Sequence, residues 1–109
     1  HFFSTGDSEV ILKAYREWGV DCVRRLHGMF AFAIWDMAQK TLFLARDRLG
    51  IRHLYYCRVG SRFYFASEVK AIFVNPEVPR EIDPEGMDQV FTYWTTIPPV
   101  RATAFACCR

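Results

Sequence analysis

Few side chains in this sequence could carry reaction chemistry: four cysteines, Cys22, Cys57, Cys107 and Cys108, and three histidines, His1, His27 and His53. A cysteine nucleophile needs a base or a cationic neighbour to hold its thiolate, and a structural zinc site needs closely spaced cysteine and histidine pairs. The spacing supplies neither. There is no C-x-x-C pair, and the adjacent Cys107 and Cys108 have no histidine at ligand distance along the chain. Cys22 falls on the stripe of a helical segment and Cys57 in a strand, so both read as packed thiols, and unpaired reduced thiols predict a cytoplasmic protein. His27 precedes a long apolar segment, where it caps a turn or faces solvent. Asp7 is of another kind. It opens an amphipathic helix, where the helix dipole favours a carboxylate, and there it can cap the helix.

The elements that must position these groups follow from periodicity. Val10, Ile11, Ala14, Tyr15 and Trp18 form one helical stripe from Asp7 to Gly19, and a shorter turn over Asp21 to Leu26 stops near Gly28. Met29 to Trp35 is apolar in both alternation sets, so this strand is expected to be covered on both faces. Thr41 to Arg46, Leu54 to Arg58 and Arg62 to Ala66 complete an antiparallel four-stranded meander. Ser67 then caps a short helix reaching Phe73. Prolines 76, 79 and 84 mark a connection, and Asp83-Pro84 starts a last helix with Met87, Val90, Phe91 and Trp94 on its apolar face. The order is α+β.

Composition narrows the classes. The 109 residues are 51% hydrophobic and 17% aromatic, enough for one core and too few for two ordinary domains. Fourteen basic and twelve acidic residues are interspersed, leaving a formal charge of +2, so neither nucleic acid nor an anionic membrane is an expected partner. The longest apolar run, Met29 to Trp35, falls far short of the roughly 18 residues of a membrane span. A β-rich nucleic-acid module is the outlying alternative, with Phe63, Tyr64 and Phe65 stacking bases beside Arg58 and Arg62. Aromatic residues in a strand read more simply as core.

Three segments carry a resemblance. They are Phe3-Ser4-Thr5-Gly6-Asp7-Ser8-Glu9-Val10-Ile11-Leu12, then Leu26-His27-Gly28-Met29-Phe30-Ala31-Phe32-Ala33-Ile34-Trp35-Asp36, then Leu44-Ala45-Arg46-Asp47-Arg48-Leu49-Gly50-Ile51-Arg52-His53-Leu54-Tyr55-Tyr56 leading to Phe65-Ala66-Ser67-Glu68-Val69-Lys70-Ala71. In order and spacing they resemble the rear half of the glutaminase domain of glutamine-hydrolysing asparagine synthetases, over Phe3 to Ile72 and more weakly to Pro99. The resemblance implies a class II glutamine amidotransferase of the N-terminal nucleophile hydrolase fold, an αββα sandwich of antiparallel sheets between helix layers. It divides the chain into a partial amidotransferase domain over 1–75 and, over 76–109, the end of that domain with a linker toward a synthetase domain.

In that family a terminal cysteine attacks the glutamine side-chain amide and its own α-amino group is the base. Asp7 matches the acidic residue that binds the α-ammonium of glutamine, with Gly6 where serine is usual. The nucleophile, the arginine loop and an Asn-Gly-Glu segment are expected ahead of His1, so no catalytic residue is assigned here and the chain alone is expected to be inactive. No cofactor is expected in this segment; ATP and magnesium belong to the synthetase portion, which activates aspartate or a related carboxylate. Arg46 and Asp47 read as an ion pair or turn anchors, and His53, where the family has proline, as a surface residue in a turn. Thr95-Thr96-Ile97-Pro98-Pro99 resembles the linker, Thr103-Ala104-Phe105 keeps a trace of the family's next segment, Val100 to Ala102 reads as an insertion, and Ala106 to Arg109, which does not continue the pattern, as a truncated or frameshifted end of the Val100–Arg109 tail. Glutamine is the expected ligand. A homo-oligomer is expected too, because open sheet edges and uncovered apolar surface recruit partners; the competing role is a non-catalytic oligomerising module.

Overall fold

A computed structural model of the chain describes residues 3–95. Residue His1, the Pro98-Pro99 stop, the linker beyond Thr95, the Val100–Arg109 tail and Cys107 and Cys108 lie outside the described residues. The chain divides into two compact units, His1–Arg52 and His53–Arg109.

The first unit begins with helix α1, Asp7–Trp18. Its N-cap is Gly6 in an extended conformation with no side-chain cap bond, so Asp7 is the first helical residue and not the cap. The cause lies one turn further on. Glu9 reaches back and accepts from the Phe3 N–H (2.9 Å), the Ser4 N–H (2.6 Å) and the Ser4 hydroxyl (2.7 Å), while Lys13 Nζ lies 2.7 Å from its other side. An acidic residue at the third helical position reaching back in this way relieves the entering strand of orphan donors, a variant of the capping-box geometry. Gly19 ends the helix by donating to the Tyr15 carbonyl, and a 3-10 turn, Gly19–Arg24, buries Cys22 completely.

Strands β1 (Ala31–Asp36) and β2 (Thr41–Arg46) then pair antiparallel, with Ala31 opposite Arg46 and Asp36 opposite Thr41. The Asp36 carboxylate closes their turn by accepting from the Ala38 and Gln39 N–H groups, both at 2.9 Å. Directly opposed residues share a face. One face carries Phe32, Ile34, Phe43 and Ala45. Tyr15 of α1 stacks on Phe43 (centroids 5.4 Å apart) and its hydroxyl donates to Asp36 at 3.4 Å, which seats the helix there. The other face carries Ala33, Trp35 and Leu42, all exposed, with Trp35 at 55%. The expectation of cover on both sides is therefore corrected: alternation makes two apolar faces, and among the described residues of this unit an element covers only one.

In the second unit β3 (Tyr55–Val59) and β4 (Arg62–Ala66) form a hairpin closed by Gly60 and Ser61. Tyr55, Cys57, Tyr64 and Ala66 turn one face toward α2 (Val69–Ile72), and Cys57, Ile72 and Val78 are the buried centre of this cluster. Tyr64 is held at its hydroxyl, donating to Glu77 at 3.0 Å and accepting from Asn75 at 3.1 Å; Arg62 pairs with the same Glu77. The opposite face shows Tyr56, Phe63 and Phe65 to solvent, so of the aromatic trio only Tyr64 is core. Helix α2 is preceded by Glu68 without a side-chain cap bond, not by a capping Ser67. Helix α3, Pro84–Tyr93, starts as expected, with Asp83 accepting from the Glu85 N–H at 3.2 Å and Pro84 at the first position. Its apolar face is only half used: Met87 and Val90 are half-buried, Phe91 is exposed and Trp94, just past the helix, is 92% exposed.

The four strands make two separate two-stranded sheets and not one meander. The connection from Arg46 to Tyr55 is the reason. It is too long for a hairpin turn, and its backbone donors at Ile51 and Arg52 are taken by the Asp47 carboxylate rather than by a neighbouring strand. The secondary structure is thus an α+β mixture of helices and antiparallel strand pairs, consistent with part of an N-terminal nucleophile hydrolase fold. None of the helices among the described residues is long and apolar enough to cross a membrane.

Hydrogen bonding holds the Glu9 carboxyl at about 2, down from 4.5; Lys13 is the largest cause, followed by the Phe3 N–H. A depressed carboxylate stabilises the fold above its unfolded value and loses that contribution as pH falls through its folded value. Docking of residues 3 and 4 on α1 is expected to be intact at pH 5 and to be lost between pH 4.5 and about 2. The amide shifts of Phe3 and Ser4 should follow that titration, and Glu9→Gln should flatten it.

Candidate functional site

Asp7 stands at the first position of α1 with its side chain exposed, and among the described residues it makes no hydrogen bond or ion pair. It lines a cavity of about 230 Å³ together with Val10, Ile11, Leu26, His27, Met29 and Phe30. The two acidic residues of this first turn divide the work. Glu9 ties down the incoming chain, and Asp7 is left with free oxygen lone pairs beside an apolar surface. A carboxylate in that setting accepts charge-assisted hydrogen bonds from a cationic donor, and a primary ammonium offers three.

A second cavity of about 330 Å³ adjoins it, sharing Leu26, His27, Met29 and Phe30 and adding Val23, Gly28, Asp47, Arg48, Leu49 and Ile51. Its wall is built by Asp47, the single buried charged residue among those described, at 7% exposure. The Asp47 carboxylate accepts from the N–H groups of Ile51 (2.9 Å), Arg52 (3.0 Å) and Phe30 (3.3 Å). Its own backbone N–H donates to the Phe30 carbonyl at 2.8 Å and its carbonyl accepts from Gly50 at 2.9 Å. These donors, the Arg52 N–H foremost, hold its pKa below the ordinary carboxylate range against the opposing effect of burial. Arg46 closes the same loop from outside, donating to the Arg52 carbonyl at 2.7 Å and to the Gly50 carbonyl. Of the two readings for Arg46 and Asp47, the structure selects turn anchors; they do not pair with each other.

Gly50 is required where it stands. Its φ of +64° is left-handed, and a Cβ there would meet the Arg46 guanidinium at 2.7 Å. Gly28, at φ +119°, likewise lets the chain turn from His27 into β1.

The other candidates are placed apart from this chemistry. His53 is exposed and stacks on Tyr55 at 5.9 Å, with no carboxylate or thiol bonded to it among the described residues. Cys22 and Cys57 are buried and outside any disulfide; burial pushes the Cys22 pKa up, the opposite of nucleophile activation. No three His, Cys, Asp or Glu side chains among the described residues come together as metal ligands would. For base stacking, Tyr64 is turned into the core and Arg62 is neutralised by Glu77, which leaves Phe63, Phe65 and Arg58. Sequence reasoning missed Glu9 as the anchor and His27, Met29 and Phe30 as cavity wall. A glutamate at the third helical position was the available signal for the first; the others needed the turn at Gly28 in three dimensions.

Residues 1–108 match the family of glutamine amidotransferase domains. Among curated proteins, the chain is 47% identical over 90 residues to asparagine synthetase [glutamine-hydrolyzing] 3 of Bacillus subtilis (strain 168), covering 83% of this chain and 15% of that protein. It is 43% identical over 82 residues to asparagine synthetase [glutamine-hydrolyzing] 2 of the same organism, covering 75% and 11%. It is 39% identical over 70 residues to amidase chyE of Penicillium rubens, covering 64% and 10%. The chain thus spans between a tenth and a sixth of the length of these relatives.

The Asp47 loop is open to direct measurement. Gly50→Ala should cost about 1–3 kcal/mol in denaturant unfolding, the range for a non-glycine residue held left-handed. Asp47→Asn should raise amide exchange at Phe30, Ile51 and Arg52 by about an order of magnitude relative to β3 and β4; unchanged exchange would remove Asp47 from this role.

Proposed function

Because this chain belongs to the glutamine amidotransferase domain family, we propose that it supplies the ammonium-binding side of a glutamine site, with Asp7 as the residue that takes the substrate's α-amino group. The supporting observation is the unpaired Asp7 carboxylate at the rim of a cavity walled by Val10, Ile11, Leu26, Met29 and Phe30. The ammonium end meets the charge, and the aliphatic part of the substrate lies on the apolar wall. The whole protein hydrolyses glutamine to glutamate and passes ammonia to an aspartate, or a related carboxylate, activated by ATP with magnesium elsewhere in its length, in the cytoplasm. The names of the relatives, asparagine synthetases [glutamine-hydrolyzing], support that reading.

Amide hydrolysis by this route needs an activated nucleophile. The described thiols, Cys22 and Cys57, are buried, which supports reading the segment's part as binding and not bond cleavage. A second reading, an oligomerising module, is favoured by the exposed apolar faces at Trp35 and Leu42 and at Tyr56, Phe63 and Phe65. Surfaces of this kind recruit partners.

The 109-residue polypeptide is expected to release no glutamate from glutamine above a heat-treated control. Glutamine titrated into it should shift the amides around Asp7, and Asp7→Asn should weaken that binding by about tenfold or more, the scale of one charge-assisted hydrogen bond. Glutamate release, or binding indifferent to Asp7→Asn, would sink the assignment. A clean monomer in light scattering would set aside the second reading.

A further inference from the structure

Arg48 makes no hydrogen bond or ion pair among the described residues, although the loop around it is engaged at Asp47, Gly50 and Ile51. It lines the larger cavity and not the one that holds Asp7. Two free groups of opposite charge therefore belong to two cavities that adjoin along Leu26, His27, Met29 and Phe30. The carboxylate of Asp47 also borders the larger cavity, but its oxygens are occupied by the N–H groups of Phe30, Ile51 and Arg52, so it does not compete for the guanidinium. Size points the same way. At about 230 Å³ the Asp7 cavity is below the ordinary range for ligand sites, about 300–1,000 Å³, whereas with its neighbour it falls inside that range.

We propose that the two cavities form one elongated site for an amphoteric, peptide-like ligand, a γ-glutamyl dipeptide with an apolar second residue. Its α-ammonium sits on Asp7, its apolar side chain lies over Leu26, Met29 and Phe30, and its terminal carboxylate reaches Arg48. The ammonium and carboxylate of a single α-amino acid sit on one carbon, whereas Asp7 and Arg48 line different cavities, so the pair suits a ligand with its charges further apart. Guanidinium and carboxylate match in planar geometry, so Arg48 reads that end by shape as well as by charge. The assignment rests on Asp7 being the ammonium site and adds an extension of that site toward the Asp47 loop.

The test uses the full chain and three probes: glutamine, γ-glutamyl-leucine and γ-glutamyl-leucinamide, titrated by calorimetry or amide shifts. γ-Glutamyl-leucine should bind about tenfold more tightly than glutamine, and the leucinamide, which lacks the terminal carboxylate, should lose that advantage. Arg48→Gln should abolish the advantage and leave glutamine binding as it was; Arg48→Lys should restore part of it. Arg48 is exposed, so these variants should keep the far-ultraviolet spectrum of the parent. If glutamine binds through Asp7 but the dipeptide binds no better, or Arg48→Gln changes nothing, the extended site is overturned and the Asp7 assignment stands. If neither ligand binds, both fall together.

Discussion

A buried carboxylate is tolerated only where its oxygens are fully hydrogen-bonded, and Asp47 meets that condition with backbone donors from both sides of β1 and β2. Phe30 lies just before β1, Ile51 and Arg52 just beyond β2, and Asp47 binds all three. The strand ends are thereby fixed relative to each other, the loop from Asp47 to Arg52 is shaped around one side chain, and Phe30 is set as a wall common to both cavities. Arg46 and Gly50 are accessories to the same knot: one closes its outer side, the other lets the chain pass without a Cβ against the guanidinium. The cost of burying the charge is offset by order in the backbone, and that order is what a binding surface needs.

The first turn of α1 solves the opposite problem with the same side-chain chemistry. Glu9 saturates itself on Phe3, Ser4 and Lys13, and so takes over the anchoring that Asp7 would otherwise perform. Asp7 stays exposed at the positive end of the helix dipole, where a carboxylate is stabilised without being consumed. Carboxylates that anchor the chain and one left open to solvent are distinguished here by how many of their lone pairs are already taken.

Among the described residues, each sheet is covered on one side only. Phe43 lies under Tyr15, and Cys57 packs with Ile72 and Val78, yet Trp35 and Leu42 in one unit and Tyr56, Phe63 and Phe65 in the other face solvent. Aromatic stacking along the second of these faces, Tyr56 on Phe63 and Phe63 near Phe65, organises it without covering it. Such faces are apolar surface that no element among the described residues covers.

Much of this architecture was readable from sequence because it is local. The span of α1, the Asp83-Pro84 start of α3, the Gly60-Ser61 hairpin and the α+β class come from periodicity, cap chemistry and turn residues, which depend on neighbours in the chain. The ladder of β1 and β2 was equally legible, since alternation and an aspartate at the turn specify it. What alternation cannot specify is which of two apolar faces another element will cover, so Met29 to Trp35 read as doubly buried and four strands as one sheet. Tertiary structure alone decided that Asp47 would be buried and would spend the loop's donors, that Glu9 rather than Asp7 would anchor the helix entry, and that His27, Met29 and Phe30 would meet Asp7 around a cavity. Each of those outcomes rests on contacts made through space, and a side chain's burial and partners are properties of the groups that lie across from it, not of its neighbours along the chain.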